Sequence, residues 1–381
     1  MEPMFRKTLF WAHLICGVTA GAVILVMSVT GVALTYQRQM QYWADTHTFR
    51  ASPATGTTRK PIAEMVDAVS AVEPTATAVT VTLRSAPSAP AAITMGTKTI
   101  YVNPYTAAVY GEGRGQSLRA FFSSMTLWHR YLATSGNSRT TGRAITGASN
   151  FLFLFVVLSG MYLWWPRKLT MIQIRNLSWF RRGLPTKARH FNWHNVIGFW
   201  SAAVLSIVVG SGVVMSYTWA NNLVYTALGE TPPAQGARRA GGAGAGAGVA
   251  DDIDLDGLVA RAVEFQPDWT ILALRLPTSA LAPVTVGLDR GDGGQPQLKG
   301  TLTLDAYTGE TLKWEGFSSQ TPGRRLRSFL RFAHTGEVGG LTGQTVAGAA
   351  SAAGVLLVYT GLSLSVRRFL SWRARRVVTR A

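Results

Sequence analysis

Acidic side chains are scarce in this chain. Of 381 residues only 19 are Asp or Glu against 37 Lys or Arg, and the four charged types together reach 15% while hydrophobic residues reach 47%. Soluble domains carry about 25% charged residues, so much of this chain lacks the means to face water. Cysteine is almost missing: Cys16 stands alone, which excludes an intrachain disulfide and leaves the redox compartment unread. Four windows, 9–37, 143–165, 194–220 and 344–366, contain no Asp, Glu or Lys, and Arg143 sits only at an edge. Each exceeds the roughly 20 apolar residues that cross about 30 Å of hydrocarbon. A single such window is compatible with a buried soluble helix, but four in a chain so poor in charge point to membrane spans.

The excess positive charge is concentrated beside these windows. Arg6 and Lys7 precede the first; Arg167, Lys168, Arg175, Arg181, Arg182, Lys187 and Arg189 separate the second from the third; Arg367, Arg368, Arg373, Arg375, Arg376 and Arg380 follow the fourth. These three pieces hold 15 of the 37 basic residues and one acid, Glu2, a net +14 of the total +18. Basic residues near span ends mark the cytoplasmic side. The expected layout is therefore residues 1–8, 166–193 and 367–381 in the cytoplasm, with outer segments 38–142 and 221–343 in the periplasm, in a bacterial inner membrane. Flanking placement also argues against nucleic-acid binding, which needs a basic face on a folded domain, and suits anionic lipid. The first window is too long for a signal peptide, and Val32–Arg38 offers no A-x-A-like cleavage site, so it is expected to remain as a span.

The spans repeat in pairs. His13, Gly17 and Thr30-Gly31 in the first correspond to His194, Gly198 and Ser211-Gly212 in the third; Thr141-Gly142, Gly147 and Ser159-Gly160 in the second correspond to Thr342-Gly343, Gly348 and Thr360-Gly361 in the fourth. The outer segments repeat too. Helical periodicity at 61–72 and 254–265 is followed by β-rich runs at 78–83 and 270–276, then by the strand phrases Tyr101–Ala107 and Leu304–Gly309, each running into a turn. The expected fold is a membrane all-α four-helix bundle, a duplicated span, outer domain and span, carrying two small α+β domains. Residues 234–249, rich in Gly and Ala, read as a flexible linker rather than a phosphate loop, since no Lys-Ser/Thr follows.

Six histidines carry the chemistry, and four obey the repeat. His13 and His194 lie about one turn inside the cytoplasmic ends of the first and third spans. His129 and His334 lie just outside the second and fourth, on the apolar faces of amphipathic runs: Leu118, Phe122, Met125, His129 and Leu132 in one, Leu326, Phe329, Leu330, Ala333 and His334 in the other. Imidazoles in or beside hydrocarbon usually mark function, and pairs between helices are a common way to hold haem. Depth selects the pairs, because the far end of the first span lies roughly 27 to 35 Å beyond His13: His13 with His194, and His129 with His334. Gly17 and Gly198, one turn from His13 and His194, either admit a flat porphyrin or serve ordinary packing through small residues. His190 and His194 form an i, i+4 pair suited to a divalent metal, but no carboxylate or cysteine accompanies them; His190 is expected to face headgroups or a haem propionate, and His47 to be a solvated loop residue. Arg130, Arg143, Arg331, Arg6 and Arg189 are candidate propionate partners. Trp43, Trp219, Asn221 and Asn222 either line a docking surface or belong to an interfacial belt.

The His-flanked spans, Leu163-Trp164-Trp165-Pro166 and the two strand phrases resemble the PepSY-associated transmembrane family over essentially the whole chain. Trp128-His129-Arg130-Tyr131 and Asn192-Trp193-His194 resemble its recurring His motifs. Trp11-Ala12-His13 and Ala333-His334-Thr335 lack the usual Arg after His, and Asn103 and Ala107 stand where the family has Asp and Gly. The resemblance implies a ferric-siderophore reductase with two haem b groups, His13 and His194 holding the inner iron and His129 and His334 the outer, with the outer haem edge as the site of reduction. A ferric siderophore would be the electron acceptor, and a quinol or a cytoplasmic reductase the donor. Two other classes remain compatible with a membrane chain: a haem-free transporter, expected to show intramembrane carboxylates or broken helices, and a regulatory protein whose outer domains bind a partner.

Overall fold

The computed structural model describes residues 2–51, 53, 56–73, 79–166, 170–233, 253–277 and 282–378. The 234–249 linker, Arg167, Lys168 and Arg380 lie outside them. Among the described residues eleven α-helices and eight strands follow in the order α1 (Glu2–Leu34), α2 (Gln37–Thr46), α3 (Ile62–Ser70), β1 (Val79–Arg84), β2 (Ala91–Met95), β3 (Lys98–Val102), β4 (Val109–Glu112), α4 (Gln116–Tyr131), α5 (Arg139–Trp164), α6 (Met171–Ser178), α7 (Thr186–Ser216), α8 (Thr218–Thr226), α9 (Leu255–Phe265), β5 (Ile271–Arg275), β6 (Val284–Asp289), β7 (Lys299–Leu304), β8 (Thr311–Gly316), α10 (Pro322–His334) and α11 (Gly340–Val378). Two compact units result, one from Met1–Gln37, Phe121–Val224 and Leu330–Ala381, the other from Arg38–Ala120 and Tyr225–Phe329.

In the first unit α1, α5, α7 and α11 are, among the described residues, the four helices long and apolar enough to cross a membrane. Less than half of each apolar window is buried, and side chains such as Ile15, Phe151, Leu158, Trp200, Ile207 and Leu356 remain exposed. That outward apolar surface is what a helix solvated by lipid presents. The chain is a membrane protein. The helices pack as neighbours in the cycle α1, α5, α7, α11, so that α1 and α7 are opposite one another, as are α5 and α11. Three helices, α1, α7 and α11, run well past the expected ends of their windows. α7 begins after Pro185, and the basic residues after 366 continue α11 to Val378 because no Gly or Pro interrupts them. Arg6 donates to the carbonyls of Leu163 and Trp165 at the end of α5, satisfying acceptors that a helix C-terminus leaves open.

The second unit corrects the expectation of two small domains. Both outer segments enter one eight-stranded antiparallel sheet, ordered β4-β3-β2-β1-β5-β6-β7-β8. Each repeat supplies a four-stranded meander, and the meanders join through β1 and β5. Alternation decides which face is dry. Val81, Leu83, Ile93, Leu272, Leu274, Val286, Leu302 and Leu304 are buried with Met65 and Val69 of α3 and Leu258 and Ala262 of α9 in one core. The residues between them, Thr80, Thr82, Thr94, Ala273, Thr285 and Thr303, point the other way and are partly exposed. Joining the sheets removes two edges that separate domains would expose. Near the β8 edge the Trp314 indole lies across Gly300, where any Cβ would collide with it, and packs on Phe265 at 4.9 Å.

The helices that carry His129 and His334 are anchored alike. The carboxylate of Asp45, at the end of α2, accepts from the Gly115 backbone N–H at 3.0 Å and from Arg119, at the start of α4. Glu230, just after α8, accepts from the Gly323 N–H at 2.7 Å and from the Thr321 hydroxyl at 2.8 Å, at the start of α10. A carboxylate at a helix N-terminus satisfies orphan donors and meets the positive end of the dipole, an effect of about 1 kcal/mol. The sequence patterns did not reveal α2, α8 or these anchors, because the acid and the helix it caps are 70 and 93 positions apart.

Candidate functional site

The repeated Ser/Thr-Gly dipeptides meet the four histidines. In α1 the His13 Nδ1 lies 2.9 Å from Ser159 Oγ of α5, and in α7 the His194 Nδ1 lies 2.9 Å from Thr360 Oγ1 of α11. In α4 the His129 Nδ1 lies 3.0 Å from Thr30 Oγ1 of α1. His334, ending α10, donates from Nδ1 to the Val208 carbonyl at 2.7 Å, with Ser211 Oγ of α7 at 3.3 Å. All four rings thus use Nδ1 for the protein, and no hydrogen bond at Nε2 is seen among the described residues.

Depth separates two levels. Thr30 lies 17 residues after His13 and Ser211 lies 17 after His194, roughly 25 Å of helix. At one level the His129 and His334 rings stand 6.3 Å apart, centroid to centroid, inclined at 66°. Two imidazoles sharing one metal at about 2 Å from each nitrogen have centroids roughly 6 Å apart, so this pair fits a bis-histidine iron. Burial pushes the His129 imidazole down to about 4, helped by the neighbouring His334, and burial lowers His334 as well. In both, burial favours the neutral imidazole, the form that ligates metal. At the other level His13 and His194 are electrostatic neighbours carried on the opposed helices α1 and α7. Between the levels Val157, Leu205, Val209 and Ala350 form an apolar cluster with Phe153, Leu154 and Leu357.

The two glycines singled out beside the inner pair differ. A Cβ at Gly17 would meet nothing within 4 Å, whereas one at Gly198 would touch Leu357 at 3.7 Å. Gly17 therefore does not pack closely on a neighbouring helix. His190 does not face headgroups: it is buried, its Nδ1 lies 2.8 Å from Ser363 Oγ, and its ring meets Tyr359 edge-on at 5.5 Å. Among the described residues no group of three or more His, Cys, Asp or Glu is arranged to hold a metal ion, so the His190/His194 spacing has no third ligand. His47 is exposed at the end of α2 and stacks on Trp43 at 4.5 Å. Of the candidate propionate arginines, Arg6 is engaged by carbonyls, Arg130 and Arg331 lie over Tyr131 and Phe332, and Arg189 over Trp193.

One polar side chain near the outer pair escaped the sequence patterns. Asn150, buried inside α5, donates to the Val209 carbonyl at 3.1 Å and crowds Gly212 beside His334. Its repeat counterpart, Ser351, stands beside Gly31 and His129. A buried amide in the middle of an apolar window is a signal the sequence did contain.

A search of curated proteins returns no match. Residues 10–368 match the family model described as the PepSY-associated TM region. With four apolar helices and an antiparallel sheet domain joined in that span, the chain belongs to the PepSY-associated transmembrane family.

Proposed function

We propose that this chain is a di-haem b electron-transfer protein of the bacterial inner membrane that reduces a periplasmic ferric siderophore. The observation that supports it best is the placement of four imidazoles in two pairs at two depths, each ring using Nδ1 for the protein. Bound there, haem supplies a reversible one-electron iron couple. His13 and His194 would hold the inner group, His129 and His334 the outer. Two imidazoles on each iron would leave no open coordination site, which favours electron transfer over oxygen activation. Val157, Leu205, Val209 and Ala350 form a buried apolar cluster within the bundle.

The flanking basic residues put both termini and the 166–193 loop in the cytoplasm, and hence the sheet domain in the periplasm. Electrons would enter from quinol or a cytoplasmic reductase at the His13/His194 level and leave from the His129/His334 level. The substrate class follows from the resemblance of the His motifs to the siderophore-reducing members of the family. Reduction of Fe(III) to Fe(II) weakens its bonds to hard oxygen ligands and frees the metal. Visible spectra of purified protein, oxidised and dithionite-reduced, with haem counted per chain, test the proposal. Reduced b-type bands and two haems per chain are expected; a colourless preparation from haem-sufficient cells sinks it.

A further inference from the structure

We infer that the four Ser/Thr-Gly dipeptides are imidazole seats, whose hydroxyls are positioning residues that fix each ligand histidine as its Nδ1–H tautomer and aim Nε2 at the iron. The inference rests on the di-haem reading. The seats are Thr30-Gly31, Ser159-Gly160, Ser211-Gly212 and Thr360-Gly361, one in each of the four apolar helices, and each receives a histidine from another helix.

The tautomer follows from where the hydroxyl protons go. Thr30 donates to Val26 O at 2.7 Å, Ser159 to Val156 O at 3.2 Å, Ser211 to Val208 O at 2.8 Å and Thr360 to Leu356 O at 2.7 Å. Ser and Thr inside helices commonly back-bond in this way. A hydroxyl whose proton is committed can offer the ring only a lone pair, so the ring nitrogen facing it must carry the hydrogen. The carbonyl three residues before each hydroxyl also faces the ring: Val208 for His334, and Val156, Met27 and Leu357 for His13, His129 and His194. At His334 the hydroxyl and the carbonyl both converge on Nδ1, and at His13, His129 and His194 the hydroxyl meets Nδ1, which leaves the lone pair on Nε2.

The glycine is the second half of the seat. A Cβ at Gly31, Gly160, Gly212 or Gly361 would stand 3.6, 3.3, 3.2 or 3.3 Å from the Cε1 of the seated ring. Its absence lets the imidazole lie against the helix and reach the hydroxyl. Hydrogen bonding at the distal nitrogen orients a ligand histidine and raises its basicity, which favours the ferric state. The seats differ in one respect. At His334 the carbonyl is 2.7 Å away and the hydroxyl 3.3 Å, so there the backbone holds the proton and Ser211 contributes least.

The test uses full-length protein carrying Thr360→Val, Thr30→Val or Ser211→Ala, with spectroelectrochemical titration and low-temperature electron paramagnetic resonance of each haem. Thr360→Val should move the inner midpoint potential to more positive values and change the inner low-spin signal, with the outer haem unmoved. Thr30→Val should do the same at the outer haem, Ser211→Ala should shift it least, and Thr360→Ser and Thr30→Ser should restore the native values. If a valine variant loses one haem, recovery of that haem in the serine variant supports the seat, and failure to recover overturns it. Two haems with unmoved potentials and signals in both valine variants overturn the seats and leave the di-haem reading standing. A wild-type protein without haem overturns that reading itself.

Discussion

Thr82 of β1 and Ala273 of β5 face each other at the centre of the eight-stranded sheet, and the pairing around them is reciprocal. Val81 pairs with Leu274 and Leu83 with Leu272, so equivalent positions of the two repeats exchange places across a local two-fold, as in an isologous dimer interface. All four of these core residues are buried. The duplication thus forms an internal dimer, with β1 and β5 as its seam.

The seam predicts joint unfolding of the outer segments. Val81→Ala removes two methyl groups from the shared core at a cost of roughly 2 kcal/mol. Hydrogen exchange should then show faster opening in β2 and β6 alike. Loss of protection confined to β1–β4 would mean that the halves fold separately.

Ala107 tests the turn chemistry. It adopts φ +58° where the second repeat has Gly309 at +67°, and both turns use the same carboxamide or carboxylate contact, Asn103 to the Tyr105 N–H at 2.9 Å and Asp305 to the Tyr307 N–H at 3.0 Å. A left-handed alanine costs about 1 kcal/mol relative to glycine. Ala107→Gly should raise the denaturation midpoint of the outer domain, and Gly309→Ala should lower it by a similar amount. Changes of the opposite sign would contradict the backbone geometry.

Ligand substitutions should separate the two levels. His13→Ala or His194→Ala is expected to leave one haem per chain with the outer spectrum, and His129→Ala or His334→Ala one haem with the inner. Pyridine haemochrome counts decide the matter: loss of both groups from each single variant refutes the pairing.

His190 should be dispensable for haem. Its Nδ1 is held by Ser363, and among the described residues no third ligand adjoins the pair it forms with His194. His190→Asn should therefore retain two haems and bind no less zinc than the wild type, checked by haem counting and metal analysis. Loss of the inner haem would promote His190 to a ligand.

Four spans and their duplication were legible because apolar length and matched spacing are local properties of a chain crossing lipid. The same periodicity located the four repeated histidines and set two depths for them. Other features depended on partners distant in the chain. The histidine–hydroxyl contacts join residues 99 to 166 positions apart, and Asp45 and Glu230 cap helices far downstream. Spacing in the sequence points to Gly17 and Gly198 beside His13 and His194, for porphyrin contact or for ordinary packing, while the glycines that lie against imidazole are those of the repeated Ser/Thr-Gly dipeptides. One sheet replaced two domains because a period of two fixes which face of a strand is dry, but not which strand lies beside it. By itself the sequence determined a membrane chain of two matched halves with four histidines at two depths. Tertiary structure alone decided how those halves join and which hydroxyl each imidazole meets, because both depend on contacts that no local pattern encodes.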